Sequence, residues 1–169
     1  MCYFGKLDVV TKVKLLKSYC ISFYGCELWN LWDDKIEDFV KAWRQGQRSV
    51  WKLPYNTHRR FLPLFDSIPV EDEICRRFLS FIHKWLFSEC RLVQYVVKHG
   101  LLYGGMFSLC GRNALRCANR FSFTVGDIFR SQFNANVVRK QCMAKSVNDI
   151  SDVCMIIELV CLRDNIFSL

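Results

Sequence analysis

DDKIEDFVKAWRQGQRSVWKLP, residues 33–54, is the stretch from which the fold is read. Asp33 or Asp34 offers a side-chain oxygen to the free N–H groups that open a helix. Glu37 stands three residues beyond Asp34 as in a capping box, and Pro54 ends the run. The predicted helix therefore reaches about Lys52. At about 100° per residue, Ile36, Phe39, Val40, Trp43 and Val50 cluster within about a third of the circumference, which makes that side the core face. Lys41, Arg44, Arg48 and Lys52 recur at i, i+3, i+7 and i+11 on the other side, and no acid interrupts the row. Arg59 and Arg60 carry the positive charge into the following turn. A row of this kind tracks successive phosphates of a polyanion without reading bases, or it is an ordinary solvated helix face.

Leu31-Trp32-Asp33-Asp34 also resembles the paired aspartates that hold two catalytic metals in polymerase palms. Those aspartates sit on a β-hairpin between apolar strands. Here Lys35 to Phe39 continue with helical period, so the pair is read as a helix cap. No Gly-rich phosphate loop, serine elbow or Cys-His pair offers another mechanism, and no catalytic residue is assigned.

Working outward, a helix is expected after Asp8, with Val9, Val13, Leu16, Cys20 and Phe23 on one face and Gly25 at its end or at a tight packing point. Pro69 followed by Glu71, Asp72 and Glu73 is a strong start for another, with proline at the opening position and acids against the positive end of the helix dipole. That helix carries Ile74, Phe78, Phe81, Ile82 and Trp85. Shorter helices are predicted over residues 91–98, 113–119 and 127–133, separated by Gly100, Gly104, Gly105 and Gly111, and a last long one over residues 147–163. No strand alternation appears. The expectation is an all-α chain, an irregular bundle of about six to eight helices, divided into residues 1–54 and 55–169.

Hydrophobic residues at 51% and aromatics at 15%, with 8 glycines and 3 prolines, exclude disordered and collagen-like classes. The apolar run over residues 153–162 contains Glu158 and is shorter than the roughly 18 residues a membrane span needs. Lys6, Asp8, Lys12, Lys14 and Lys17 break any signal-peptide core, so an intracellular location, cytoplasmic or nuclear, is expected, with no membrane partner. In such a compartment the 10 cysteines are read as reduced, apolar packing residues, because none has the spacing of a zinc pair. No metal or other cofactor is expected. The net charge of +8 favours polyanionic partners, and its excess lies in the first two thirds: residues 1–60 carry 11 basic and 6 acidic side chains. Trp29, Trp32, Trp43 and Trp51 are read as core, with Trp51 the best candidate for a surface ring that stacks a base. Residues 55–58 are read as a turn in which Thr57 caps the next helix and His58 is more often structural than functional.

Several blocks then carry a family resemblance in one order: KVKLLKSYCISFYGCELW at 12–29, AWRQGQRSVWKLPYNTHRRFLPLF at 42–65, RRFLSFIHK at 76–84, GRNALRCANRFSFTVGDI at 111–128 and IIELVCLRD at 156–164. Together they resemble the tail that follows the palm in non-LTR (LINE-type) retrotransposon reverse transcriptases, across nearly the whole chain. The resemblance implies a thumb-like segment followed by a carboxyl-terminal helical extension. The catalytic aspartates and their magnesium would then belong to a palm upstream of Met1. It implies contact with RNA or DNA through phosphates, by Lys41, Arg44, Arg48, Lys52, His58, Arg59 and Arg60, with Lys12, Lys14 and Lys17 as weaker contributors. The missing palm is an implied partner. The alternative is an inactive remnant of a decayed element, without nucleic-acid affinity, that self-associates through exposed apolar surface.

Overall fold

A computed structural model describes residues 7–20, 23–57 and 69–148. They form six α-helices: α1 (Val9–Leu15), α2 (Asp34–Val50), α3 (Val70–Leu86), α4 (Arg91–Leu102), α5 (Leu109–Phe121) and α6 (Ala135–Asn148). There is no strand among the described residues. The all-α bundle is as expected, and its helix count falls in the predicted range.

Local chemistry explains most boundaries. The Thr11 N–H donates to Asp8 Oδ2 at 3.1 Å, so Asp8 caps α1, which passes into a wider turn at Leu16–Cys20. Gly25, at φ 75°, then reverses the chain into a short 3-10 turn at Cys26–Leu28. At α2 the capping residue is Asp33, which accepts from the Lys35 N–H at 2.9 Å; Asp34 is already the first helical residue, so the capping box expected between Asp34 and Glu37 does not form. The aspartate pair thus serves a helix start and is not carried on a β-hairpin.

The end of α2 is a Schellman arrangement. Leu53 N–H donates to the Arg48 carbonyl at 2.8 Å and Lys52 N–H to the Ser49 carbonyl at 3.3 Å, with Lys52 between them at φ 52° and Leu53 buried. Left-handed backbone at that position favours glycine, since a Cβ there crowds the following carbonyl. Lys52→Gly is therefore expected to raise stability by about 1 kcal/mol. A urea midpoint, followed by circular dichroism, that stays put or falls would show that the lysine side chain makes a compensating contact.

α3 is the centre of the bundle. Ile74, Cys75, Phe78, Leu79 and Ile82 are buried on it, and it packs against α2, the Cys26–Leu28 turn, α4, α5, α6 and a 3-10 turn at Val125–Phe129. Each large apolar side chain removed from water contributes on the order of 1.5–3 kcal/mol. Beside it Phe23, Trp29, Phe39 and Trp43 form an aromatic cluster with ring centroids 5.3–6.4 Å apart. Cys26, Cys75 and Cys117 are free thiols buried in the core. Burial pushes the Cys26 thiol up to about 11, so it stays protonated and packs as an apolar group.

The acids at the head of α3 do more than face a helix dipole. Glu71 pairs with Arg44 and Arg120 at 3.1 Å each, and Asp72 with Arg120. Glu73, whose side chain is 8% exposed, accepts from Arg76 at 2.6 Å, Arg77 at 2.8 Å and Arg139 at 3.0 Å. These pairs join α2, α5 and α6 to α3. A buried amide makes a second tie: Asn113 Oδ1 accepts from the Leu31 N–H at 3.0 Å, and its Nδ2 donates to the Trp29 carbonyl at 2.7 Å.

Three predicted helices differ. Residues 127–133 do not form an α-helix: Thr124 and Asp127 make a capping box that starts a 3-10 turn two residues earlier, and Arg130, in extended conformation, ends it. The helices predicted at 91–98 and 113–119 are longer, because Gly100 and Gly111 sit inside α4 and α5 instead of between elements. A Cβ on Gly111 would collide with the Gly105 carbonyl, so glycine there allows the close α4–α5 corner. Ser108 caps α5 at that corner, accepting from the Gly111 N–H at 2.8 Å. The helix expected at 147–163 lies almost wholly outside the described residues. α6 was not foreseen; Asn134 starts it by accepting from the Asn136 N–H at 2.9 Å.

Candidate functional site

Two turns of α2 and the turn that follows it enclose an open groove of about 480 Å³. Lys41, Ala42, Arg44, Gln45 and Arg48 form one wall, and Tyr55, Asn56 and Thr57 the other. The second wall is a tight turn closed by the Thr57 N–H donating to the Pro54 carbonyl at 3.0 Å. Arg48 fastens the walls together: its Nε donates to the Thr57 carbonyl at 3.1 Å, and its guanidinium carbon lies 6.0 Å from the Tyr55 ring centroid. Tyr55 is 79% exposed.

Three of the four cations predicted as a row therefore meet in one place. Their charge is partly shared, because acids reach the row from one turn earlier on α2 and from α3. Lys41 lies 3.7 Å from Glu37 and 3.3 Å from Asp38, and the hydrogen bond to Asp38 with both negative charges holds its ammonium above the usual lysine range. Both partners are well exposed, so the pairs are worth little against solvent and salt. Arg44 is tied to Glu71. No acid lines the groove itself.

The remaining predicted residues are placed differently. Lys52 is exposed beyond the helix end and does not line the groove. Lys12 is only 6% exposed, because α1 turns it inward, so it does not join a surface row. Lys14 is exposed on α1, and the side chain of Lys17 lies outside the described set. His58, Arg59 and Arg60, and the helix that Thr57 was expected to cap, fall in residues 58–68, also outside it.

Among the tryptophans, Trp29 and Trp43 belong to the aromatic cluster, as read from the sequence. Trp32 does not: it is 45% exposed, donates from Nε1 to the Arg112 carbonyl at 2.8 Å and lies under the Arg116 guanidinium, 5.5 Å away. Trp51 is half-buried. The exposed ring at the groove is Tyr55, which the sequence presents only as a turn residue. Gln45 and Asn56 were missed for the same reason, since neither belongs to a periodic pattern.

One other surface stands out. Tyr95 and His99 on α4 and Tyr103 at its end form a row of tilted rings with centroids 6.1 and 5.3 Å apart, and Val96, Leu102 and Phe107 are also exposed. Among the described residues no helix is long and apolar enough to cross a membrane, and no group of three His, Cys, Asp or Glu residues is placed to hold a metal ion. No protein-family model, curated protein or solved structure matches the chain.

Proposed function

We propose that this chain is the thumb and carboxyl-terminal part of a non-LTR retrotransposon reverse transcriptase. In this reading it contacts template-primer nucleic acid through phosphates, without sequence preference and without catalysis of its own. The observation that carries the reading is the gathering of Lys41, Arg44 and Arg48 around one groove that no acid lines. Guanidinium and ammonium groups one helical turn apart neutralise neighbouring phosphates, and counterion release drives such binding. The order of the sequence blocks and the all-helical fold support the family part of the proposal. Polymerisation and its magnesium ions are assigned to the palm that would precede this region.

Fluorescence anisotropy with a labelled duplex tests it. The parent should bind, and affinity should fall steeply as salt rises. In Lys41→Glu/Arg48→Glu the slope of log K against log salt should shrink by about 2, for two contacts at roughly 0.9 each. A variant that folds and binds like the parent removes the groove from consideration.

The exposed Tyr95, Tyr103 and Phe107 favour a second reading, a remnant that associates through apolar surface and has no nucleic-acid affinity. A flat anisotropy titration together with concentration-dependent sedimentation would select it.

A further inference from the structure

Building on the groove reading, we infer that the groove takes a single-stranded segment, with one unpaired base stacked on Tyr55 and the flanking phosphates held by Lys41, Arg44 and Arg48. A charged row alone does not distinguish a duplex from a single strand. The ring does, because the faces of paired bases are covered by their neighbours in the duplex, whereas an unpaired base offers a free face to an aromatic side chain.

Four features of the site fit that occupant. Tyr55 projects from a closed turn at 79% exposure and, unlike the other exposed tyrosines, lines the groove beside Lys41, Arg44 and Arg48. Arg48 donates to the Thr57 carbonyl at 3.1 Å, which holds the cation beside the turn that carries the ring, with its guanidinium carbon 6.0 Å from the ring centroid. The volume of about 480 Å³ is within the range of sites for small ligands, which leaves room for one nucleotide. Gln45 and Asn56 line the same space with amides that both donate and accept, which suits any base edge and gives no strong sequence preference.

The test compares a labelled oligouridylate of about 12 nucleotides with a blunt duplex of similar length, against the full chain. Tyr55→Ala should weaken single-strand binding by about 5- to 150-fold and leave duplex binding unchanged. Tyr55→Phe should behave as the parent, because it keeps the ring. The side chain is exposed, so these substitutions leave the fold intact, and circular dichroism checks that. If Tyr55→Ala binds the single strand as the parent does, or loses both ligands equally, the stacking assignment is overturned. In that event Lys41→Glu/Arg48→Glu still reports on the phosphate groove: its loss of both ligands keeps the groove reading without the stack. A parent that binds neither ligand overturns both.

Discussion

Glu73→Gln should cost about 3–5 kcal/mol of folding stability, the range for breaking a buried ion pair from one side. The substitution keeps the shape of the side chain and removes its charge. Arg76, Arg77 and Arg139 are left around a neutral amide, at positions where their side chains are only 16–24% exposed. Arg139 comes from α6, so the docking of that helix should loosen first. Urea unfolding followed by circular dichroism measures the loss, and a change under about 1 kcal/mol would mean that the arginines find other partners or water.

The same carboxylate sets a pH dependence. Burial disfavours its charged form, but hydrogen bonds from Arg76 and Arg77, with their charges, outweigh that and hold Glu73 below the ordinary value of 4.5. A lowered acid contributes stability that is complete above the unfolded-state value and is lost as pH falls through the folded-state value. The gap between parent and Glu73→Gln should therefore be full above about pH 5 and close as the solution is acidified below 4.5. A gap that widens on acidification would reverse the assignment.

Asn113→Ala should cost about 2–4 kcal/mol, because the Leu31 N–H and the Trp29 carbonyl lose their partner at a site almost closed to water. Asn113 is 1% exposed. The damage should reach beyond α5, since residues 29–31 lead into the Asp33 cap and fix where α2 begins. Hydrogen exchange at the Leu31 amide provides the local readout. Faster exchange there, with a lowered urea midpoint, is the expected result; an unchanged amide would show that the chain entering α2 is held by the aromatic cluster alone.

The sequence made α2 legible almost to the residue, because its start, apolar face and stop are local signals within 22 residues. α3 was legible as a helix, but the role of its acids was not. Glu71, Asp72 and Glu73 read as complements to a dipole, whereas their partners Arg44, Arg120 and Arg139 come from other helices that no local pattern connects to them. α6 shows the opposite limit: its apolar residues do not repeat on one face, so periodicity gave no reason to expect it, and the Asn134 cap emerges only in the structure.

The candidate site divides in the same way. The spacing of Lys41, Arg44 and Arg48 is a property of one helix and can be counted. Tyr55 gains its meaning only when the turn folds back beside Arg48, and the exclusion of Lys52 follows from the left-handed residue that ends α2.

The tie between Arg44 and Glu71 makes the fold itself a rival for any anion in the groove. A phosphate arriving at that guanidinium meets an incumbent carboxylate, so part of the attraction it could gain is already spent inside the molecule, and affinity is handicapped accordingly. The rivalry runs both ways: whatever draws Arg44 outward leaves Glu71 to Arg120 alone and slackens the junction between α2 and the central helix.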